Sequence, residues 1–119
     1  AAMIPDSETP KNATEWRERA PDLMARYPRD PRPRYFRAID LIDARDMTTA
    51  EHELRAGLAE VDLWRNVINP EFAMHMQVAL AITLAGDRLQ EAREVARPTC
   101  DWAPGPTRQL LDENKLCSD

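Results

Sequence analysis

Residues 31–60, PRPRYFRAIDLIDARDMTTAEHELRAGLAE, constrain the fold more than any other stretch, because they read as two amphipathic helices joined by a tight turn. Asp30 is a good N-cap, and Pro31 suits the first helical position, where its missing N–H costs nothing and its fixed φ already fits. Tyr35, Ala38, Ile39 and Ile42 then recur at spacings of three and four, the period of an apolar helix stripe, while Arg34, Arg37, Asp40 and Asp43 face elsewhere. Arg45-Asp46 ends that run. Thr48 and Glu51 form T-x-x-E, the pattern in which the hydroxyl caps the third helical residue and the carboxylate reaches back, so the second helix is expected to begin near Thr48. Its stripe is Ala50, Leu54, Gly57, Leu58 and Val61. Gly57 in mid-helix costs ~1 kcal/mol relative to Ala. The sequence therefore predicts a close helix contact there, shared with Ala38 and Ala50, since small residues let helix axes approach.

The remaining segments extend the same pattern. With 119 residues, 43% of them apolar and 31% charged, the chain has the size and composition of one small globular domain with a single core. Residues 1–11, with Pro5, Pro10 and no periodicity, read as a flexible arm or linker, and residues 12–119 as the domain. Asn12 and Glu15 suit a capping box for a helix burying Trp16, Ala20, Leu23, Met24 and Tyr27, which Pro21 is expected to kink or divide. Residues 59–67 prolong the third helix with Leu63, Trp64 and Val67, until Asn69-Pro70 opens a fourth. Phe72, Met74, Met76, Val78, Ala79, Leu80, Ile82 and Leu84 cover nearly all sides of that helix, as expected for one with neighbours on both flanks. Asp87 and Gln90 cap a fifth helix containing Leu89, Ala92, Val95 and Ala96, and Pro98 ends it. After Pro-Gly-Pro at 104–106, residues 107–114 make a short last helix with Leu110 and Leu111, so that residues 105–119 cap the stack. The expected fold is all-α, five or six helices stacked as antiparallel pairs, with no sheet.

Chemistry-bearing residues are few. His75 lies between Met74 and Met76, but adjacent helix residues point to different faces and the three cannot converge on one metal ion. His52, between Glu51 and Glu53, has no ligating partner at i+4. Asp40 and Asp43, one turn apart, read as an exposed face rather than an acid pair. There is no phosphate loop, nucleophile elbow or C-x-x-C, so no catalytic, cofactor or metal site is assigned and the chain is read as non-enzymatic. No stretch approaches the 18 apolar residues of a membrane span, and residues 1–10 lack the basic start and apolar middle of a signal peptide. The first residue is Ala1 rather than Met, which suggests a domain of a larger protein or a processed product.

Charge and cysteine placement carry more. Between Arg17 and Arg37 seven Arg meet three acids, a net +4 in a chain whose total is −5. Arg26, Arg29, Arg32, Arg34 and Arg37 are the candidate partner-binding residues, set on a connection that Pro28, Pro31 and Pro33 stiffen. Such a face suits an anionic membrane surface, an acidic peptide or the acidic half of another copy. Nucleic acid is disfavoured because the whole chain is acidic and its few aromatics are taken up in helix stripes. A merely solvated Arg face stands beside these readings. Cys100 and Cys117 bracket the last helix, a spacing that permits a disulfide worth ~3 kcal/mol on the chain-entropy model. Bonded, they imply an oxidising compartment such as a periplasm; unbonded, they are ordinary small residues, and spacing alone leaves both open.

The hairpin resembles a tetratricopeptide (TPR) repeat, a helix-turn-helix unit marked by small residues at set places. With Pro31 opening the unit, Ala38 falls on the small position of the first helix, Arg45-Asp46 on the Gly-Asp turn, Ala50 and Gly57 on the small positions of the second helix, and Leu54 on its large apolar position. Pro28 precedes Ala38 by ten residues, the spacing from the closing proline of one repeat, which makes residues 16–27 a preceding second helix. Ala79, Gly86-Asp87 and Ala92 echo the pattern downstream, although the 42 residues from Ala50 to Ala92 exceed the repeat period. The resemblance implies a degenerate array over residues 13–97 that binds a protein or peptide, without positions for the family's peptide-clamping residues. A second resemblance lies in RAPDLMARYPRDPRPRYFRAID, AEHELRAGLAE and the Leu116-Cys117 ending, which look like soluble tails that follow the membrane core of some bacterial rhomboid-family proteins. It implies an accessory domain, with any catalytic Ser or His outside this chain. Two functions stay open: a protein-interaction module using the concave surface of the helices from Pro31 and Pro70, or a structural tail that forms a homodimer without a separate ligand. A groove lined by Asn, Arg and Lys favours the first, and a large apolar two-fold contact the second.

Overall fold

The computed structural model describes residues 3–63 and 69–117. These form a 3-10 turn (Asp6–Glu8) and six α-helices: α1 (Ala13–Arg26), α2 (Arg32–Asp43), α3 (Met47–Leu63), α4 (Pro70–Leu84), α5 (Leu89–Cys100) and α6 (Gly105–Glu113). No strand occurs among the described residues, so the all-α expectation holds. Each helix packs chiefly on its neighbours in sequence, and α2 also reaches α4. The result is an elongated stack of 43 × 29 × 23 Å.

The caps follow local chemistry. Asn12 Oδ1 accepts from the Glu15 N–H at 2.9 Å and Asn69 Oδ1 from the Glu71 N–H at 2.8 Å, which starts α1 and α4 where the sequence puts them. Ahead of α3 the cap is Asp46 rather than Thr48: its Oδ1 accepts from the Thr49 N–H at 3.2 Å, and Glu51 pairs instead with Arg55 and Arg88. The chain reverses before Asp46 because Arg45 takes a left-handed φ of 65°. The Arg45 and Asp46 N–H groups then donate to the Ile42 and Leu41 carbonyls, closing α2 with a Schellman motif in which Arg fills the glycine place. The same motif closes α6, where Lys115 has φ 59° and buried Leu116 bonds back to buried Leu111.

Proline proves weaker punctuation than its composition suggests. α1 runs through Pro21 as one helix, and α5 continues past Pro98 to Cys100. Asp87 makes no side-chain cap for α5, which begins at Leu89 behind Arg88. The prolongation of α3 by Trp64 and Val67 falls outside the described residues.

Burial divides the interior in two. The main core joins Ala38, Leu54 and Val61 to Met74, Met76, Val78, Ala79, Leu80, Ala81 and Leu84 of α4, with Ala92, Ala96, Leu111 and Leu116 beyond. α4 is thus enclosed on most sides, and its Thr83 hydroxyl is satisfied by the Ala79 carbonyl at 2.8 Å. Gly57 permits this arrangement: a Cβ there would lie 2.5 Å from Met76 Cε and 3.7 Å from the Cβ atoms of Arg34 and Pro31. Ala38 and Ala50 are fully buried as well.

A smaller cluster of Ile4, Trp16 and Leu23 corrects, for the described residues from 3 onward, the reading of the N-terminal segment as a flexible arm or linker. Ile4 is buried and its N–H donates at 3.0 Å to Oδ2 of Asp30, whose side chain is wholly enclosed. Arg32 completes the latch, pairing with Asp30 at 2.7 Å and lying over the Trp16 ring, which stacks on Phe36 at 5.2 Å. Glu8 accepts from Tyr27 and Arg26, and these bonds, Tyr27's first, hold its carboxyl below the usual glutamate range. The segment reads as unstructured because its anchors are single residues, Ile4 and Glu8, with no period to announce them.

Candidate functional site

Most of the guanidinium groups on the predicted cationic face are engaged within the chain. Arg26 pairs with Glu8 and with Asp22 at 3.4 Å, Arg29 with Glu60 at 3.2 Å, Arg32 with Asp30, and Arg34 with Glu53 at 3.0 Å. Glu53 is itself buried. Arg17 bridges Asp40 at 2.7 Å and Asp43 at 2.8 Å. Among the described residues only Arg37 of the five candidates has no ion pair. The local excess of positive charge is thus met by carboxylates that α2, α3 and the N-terminal segment fold against it. Arg34 with Glu53 and Arg29 with Glu60 run in opposite order along the chain, so Glu53 and Glu60, seven residues apart on α3, answer Arg34 on α2 and Arg29 in the connection before it. That i, i+7 spacing opposite the Arg run was the signal available in the sequence.

The concave feature lies elsewhere, between α2, α4 and α6. Tyr35, Ile39 and Ile42 of α2, Val78, Ala79 and Ile82 of α4, and Thr107 and Leu110 of α6 line a groove of about 160 Å³, bordered by Asp43 and His75. The Tyr35 ring meets Phe72 edge-on at 5.3 Å and fixes α2 beside α4. Burial pushes the Tyr35 hydroxyl above its ordinary value, partly offset by Arg17, so the ring lines the groove as a neutral group at physiological pH. His75 sits 3.7 Å from Glu71, one turn away. Neither histidine belongs to a group of three or more His, Cys, Asp or Glu fit to hold a metal among the described residues.

The groove is apolar, not the Asn, Arg and Lys surface by which an interaction module was to be recognised. Its volume falls below the roughly 300–1,000 Å³ of sites that enclose a small molecule. It has room for about one large apolar side chain, whose full burial is worth about 1.5–3 kcal/mol. Sequence reasoning placed Tyr35, Ile39 and Ile42 with Ala38 on one apolar helix stripe. Only Ala38 is fully buried, and the other three are partly open because the groove lies against them.

Cys100 and Cys117 form a disulfide, with Cα atoms 5.7 Å apart. The bond ties the end of α5 to the residues after α6. Arg108 Nη1 also donates to the Cys100 carbonyl at 2.6 Å, and Arg93 Nε to the Lys115 carbonyl at 2.9 Å. No described helix is long and apolar enough to cross a membrane. Compared with protein-family models, curated proteins and solved structures, the chain matches none.

Proposed function

We propose that this domain is a non-catalytic, TPR-like protein-interaction module that takes an apolar side chain of a peptide or partner domain into the groove between α2, α4 and α6. One observation carries the reading. Tyr35, Ile39, Ile42, Val78 and Ile82 converge on one concave apolar surface formed by α2 and α4, with no cluster of metal-ligating groups among the described residues. Packing of each helix on the next, with the additional contact of α2 with α4, supports a repeat-type stack in which α2 and α4 are the first helices of successive units. In that stack α6 occupies the place of the next first helix and closes the array. The disulfide supports an oxidising compartment such as a periplasm.

A displayed peptide library panned against the domain tests this. Selected peptides should carry a large apolar anchor. Their affinity should fall about tenfold or more with Leu110→Ser or Ile39→Ser, the scale of one lost apolar contact. Peptides that keep full affinity for both variants, or depend instead on Arg26 and Arg29, would overturn the assignment.

The alternative of a structural, self-associating tail is favoured by a different observation: Trp102 is 50% exposed and Leu110 41% exposed. Sedimentation equilibrium separates the two readings. A monomer at micromolar concentration supports the interaction module, and a tight dimer lost with Trp102→Ser supports the tail.

A further inference from the structure

The wall that α6 gives the groove is the part of the fold held most thinly by packing. α6 has one recorded helix contact, a sparse one with α5, whereas α2, α3 and α4 each pack on two or more neighbours. Nine residues are too few for a helix to persist in water unaided. What holds it is buried Leu111 and Leu116, the Arg108 and Arg93 bonds to backbone carbonyls, and the Cys100–Cys117 bridge. Both cysteines are only partly buried, within reach of a small thiol. Thr107 and Leu110 present one side of α6 to the groove while Leu111 anchors another.

From this arrangement we infer that the Cys100–Cys117 disulfide is a redox latch on the groove: oxidised, it holds α6 as the third wall; reduced, it lets α6 detach and leaves only α2 and α4. The inference rests on the groove reading and names its regulation. In the step itself a dithiol reductant donates two electrons and two protons. The Cys100–Cys117 S–S bond breaks to two thiols, and the reductant closes to its own cyclic disulfide. Cross-linking a loop of this length shifts an undocking equilibrium on the order of a hundredfold. The remaining anchors are two leucines and two side-chain hydrogen bonds, one part-buried and one exposed, so the loss falls on α6 before it falls on the rest of the stack.

Amide hydrogen exchange on the whole chain tests the latch, comparing the oxidised protein, the protein in dithiothreitol, and Cys100→Ser/Cys117→Ser. The expected result is that protection over residues 105–117 falls on the order of tenfold or more in both altered forms. α3 and α4 should keep theirs, and the methyl resonances of Ile42 and Ile82 should shift while those of Leu23 do not. Protection of α6 that survives reduction overturns the inference. So does a loss shared by all helices, since α6 is then no separable wall. Neither readout needs a partner, so a failed latch is distinguishable from a groove that binds nothing.

Discussion

Gly57 offers the sharpest test of the packing, because its neighbours on two helices are known. A Cβ at this position would lie 2.5 Å from Met76 Cε, against the ~3.5–4.0 Å of an ordinary carbon contact. Met76 is fully buried, but Cε is the free end of a side chain with three rotatable bonds, so a single added methyl can be met by a rotamer change. Gly57→Ala also gains ~1 kcal/mol of helix propensity, and the two effects should leave stability within about 1 kcal/mol of the parent. Gly57→Leu cannot be accommodated in this way. Its branched end must enter the space between Met76 on α4 and the Cβ atoms of Arg34 and Pro31, each already 3.7 Å from a Cβ built at Gly57. Overpacking there should cost about 1–3 kcal/mol, which lowers the urea midpoint by roughly 1 M. A double-mutant cycle identifies the clashing partner. Met76→Ala alone should cost about 2–5 kcal/mol through a cavity, yet Gly57→Leu/Met76→Ala should be more stable than additivity predicts by about 0.5–3 kcal/mol, because the new leucine fills the space. Strict additivity, or an unchanged midpoint for Gly57→Leu, would refute the contact.

Arg45→Gly should stabilise by about 0.5–1 kcal/mol, since the left-handed φ of 65° costs Arg ~1–2 kcal/mol and glycine's greater unfolded freedom returns only part of it; thermal melts that fall would contradict the Schellman closure. Glu8 is held below the usual carboxylate range, so its bonds to Tyr27 and Arg26 contribute in full above about pH 4.3 and are lost as pH falls through its folded value; the amide protection factors of residues 6–9, taken relative to intrinsic exchange at each pH, should fall on acidification, and Glu8→Gln should remove that dependence. Arg32→Gln and Arg34→Gln should each destabilise by roughly 2–3 kcal/mol by leaving buried Asp30 and Glu53 without a cation, while Arg26→Gln and Arg29→Gln, at exposed pairs, should leave the midpoint nearly unchanged, as urea titration of the four variants will show. Four such changes would then not be neutral for folding, which is what a purely outward-facing Arg rim requires.

The helices were legible because each is announced locally. Asn12, Asn69 and Pro70 mark starts, the 3.6-residue stripes mark faces, and Gly57 in mid-helix marks a close approach whose partner, Met76, lies too far along the chain for any local pattern to name. The charge pattern misled for the same reason. A net charge summed over residues 17–37 omits Glu8, Glu53 and Glu60, which only the fold brings to Arg26, Arg34 and Arg29. The groove was hidden inside a correct observation: the α2 stripe is apolar, but one helix cannot tell a face covered by a neighbour from one left open. Residues 3–10 escaped because Asp30 reads as a helix cap. It does receive the Arg32 N–H at 3.0 Å, and its second oxygen is what holds Ile4.

In the function proposed above, the surface between α2, α4 and α6 is where this domain meets its partner. Methyl-detected NMR of the oxidised protein, titrated with a peptide selected on it, tests that claim most directly. Intermolecular contacts are expected from the peptide's apolar anchor to Ile39, Ile42, Val78, Ile82 and Leu110, with Leu23 and Ile4 unmoved. Contacts confined to the Arg26 and Arg29 face, or shifts spread evenly over the stack, would contradict it.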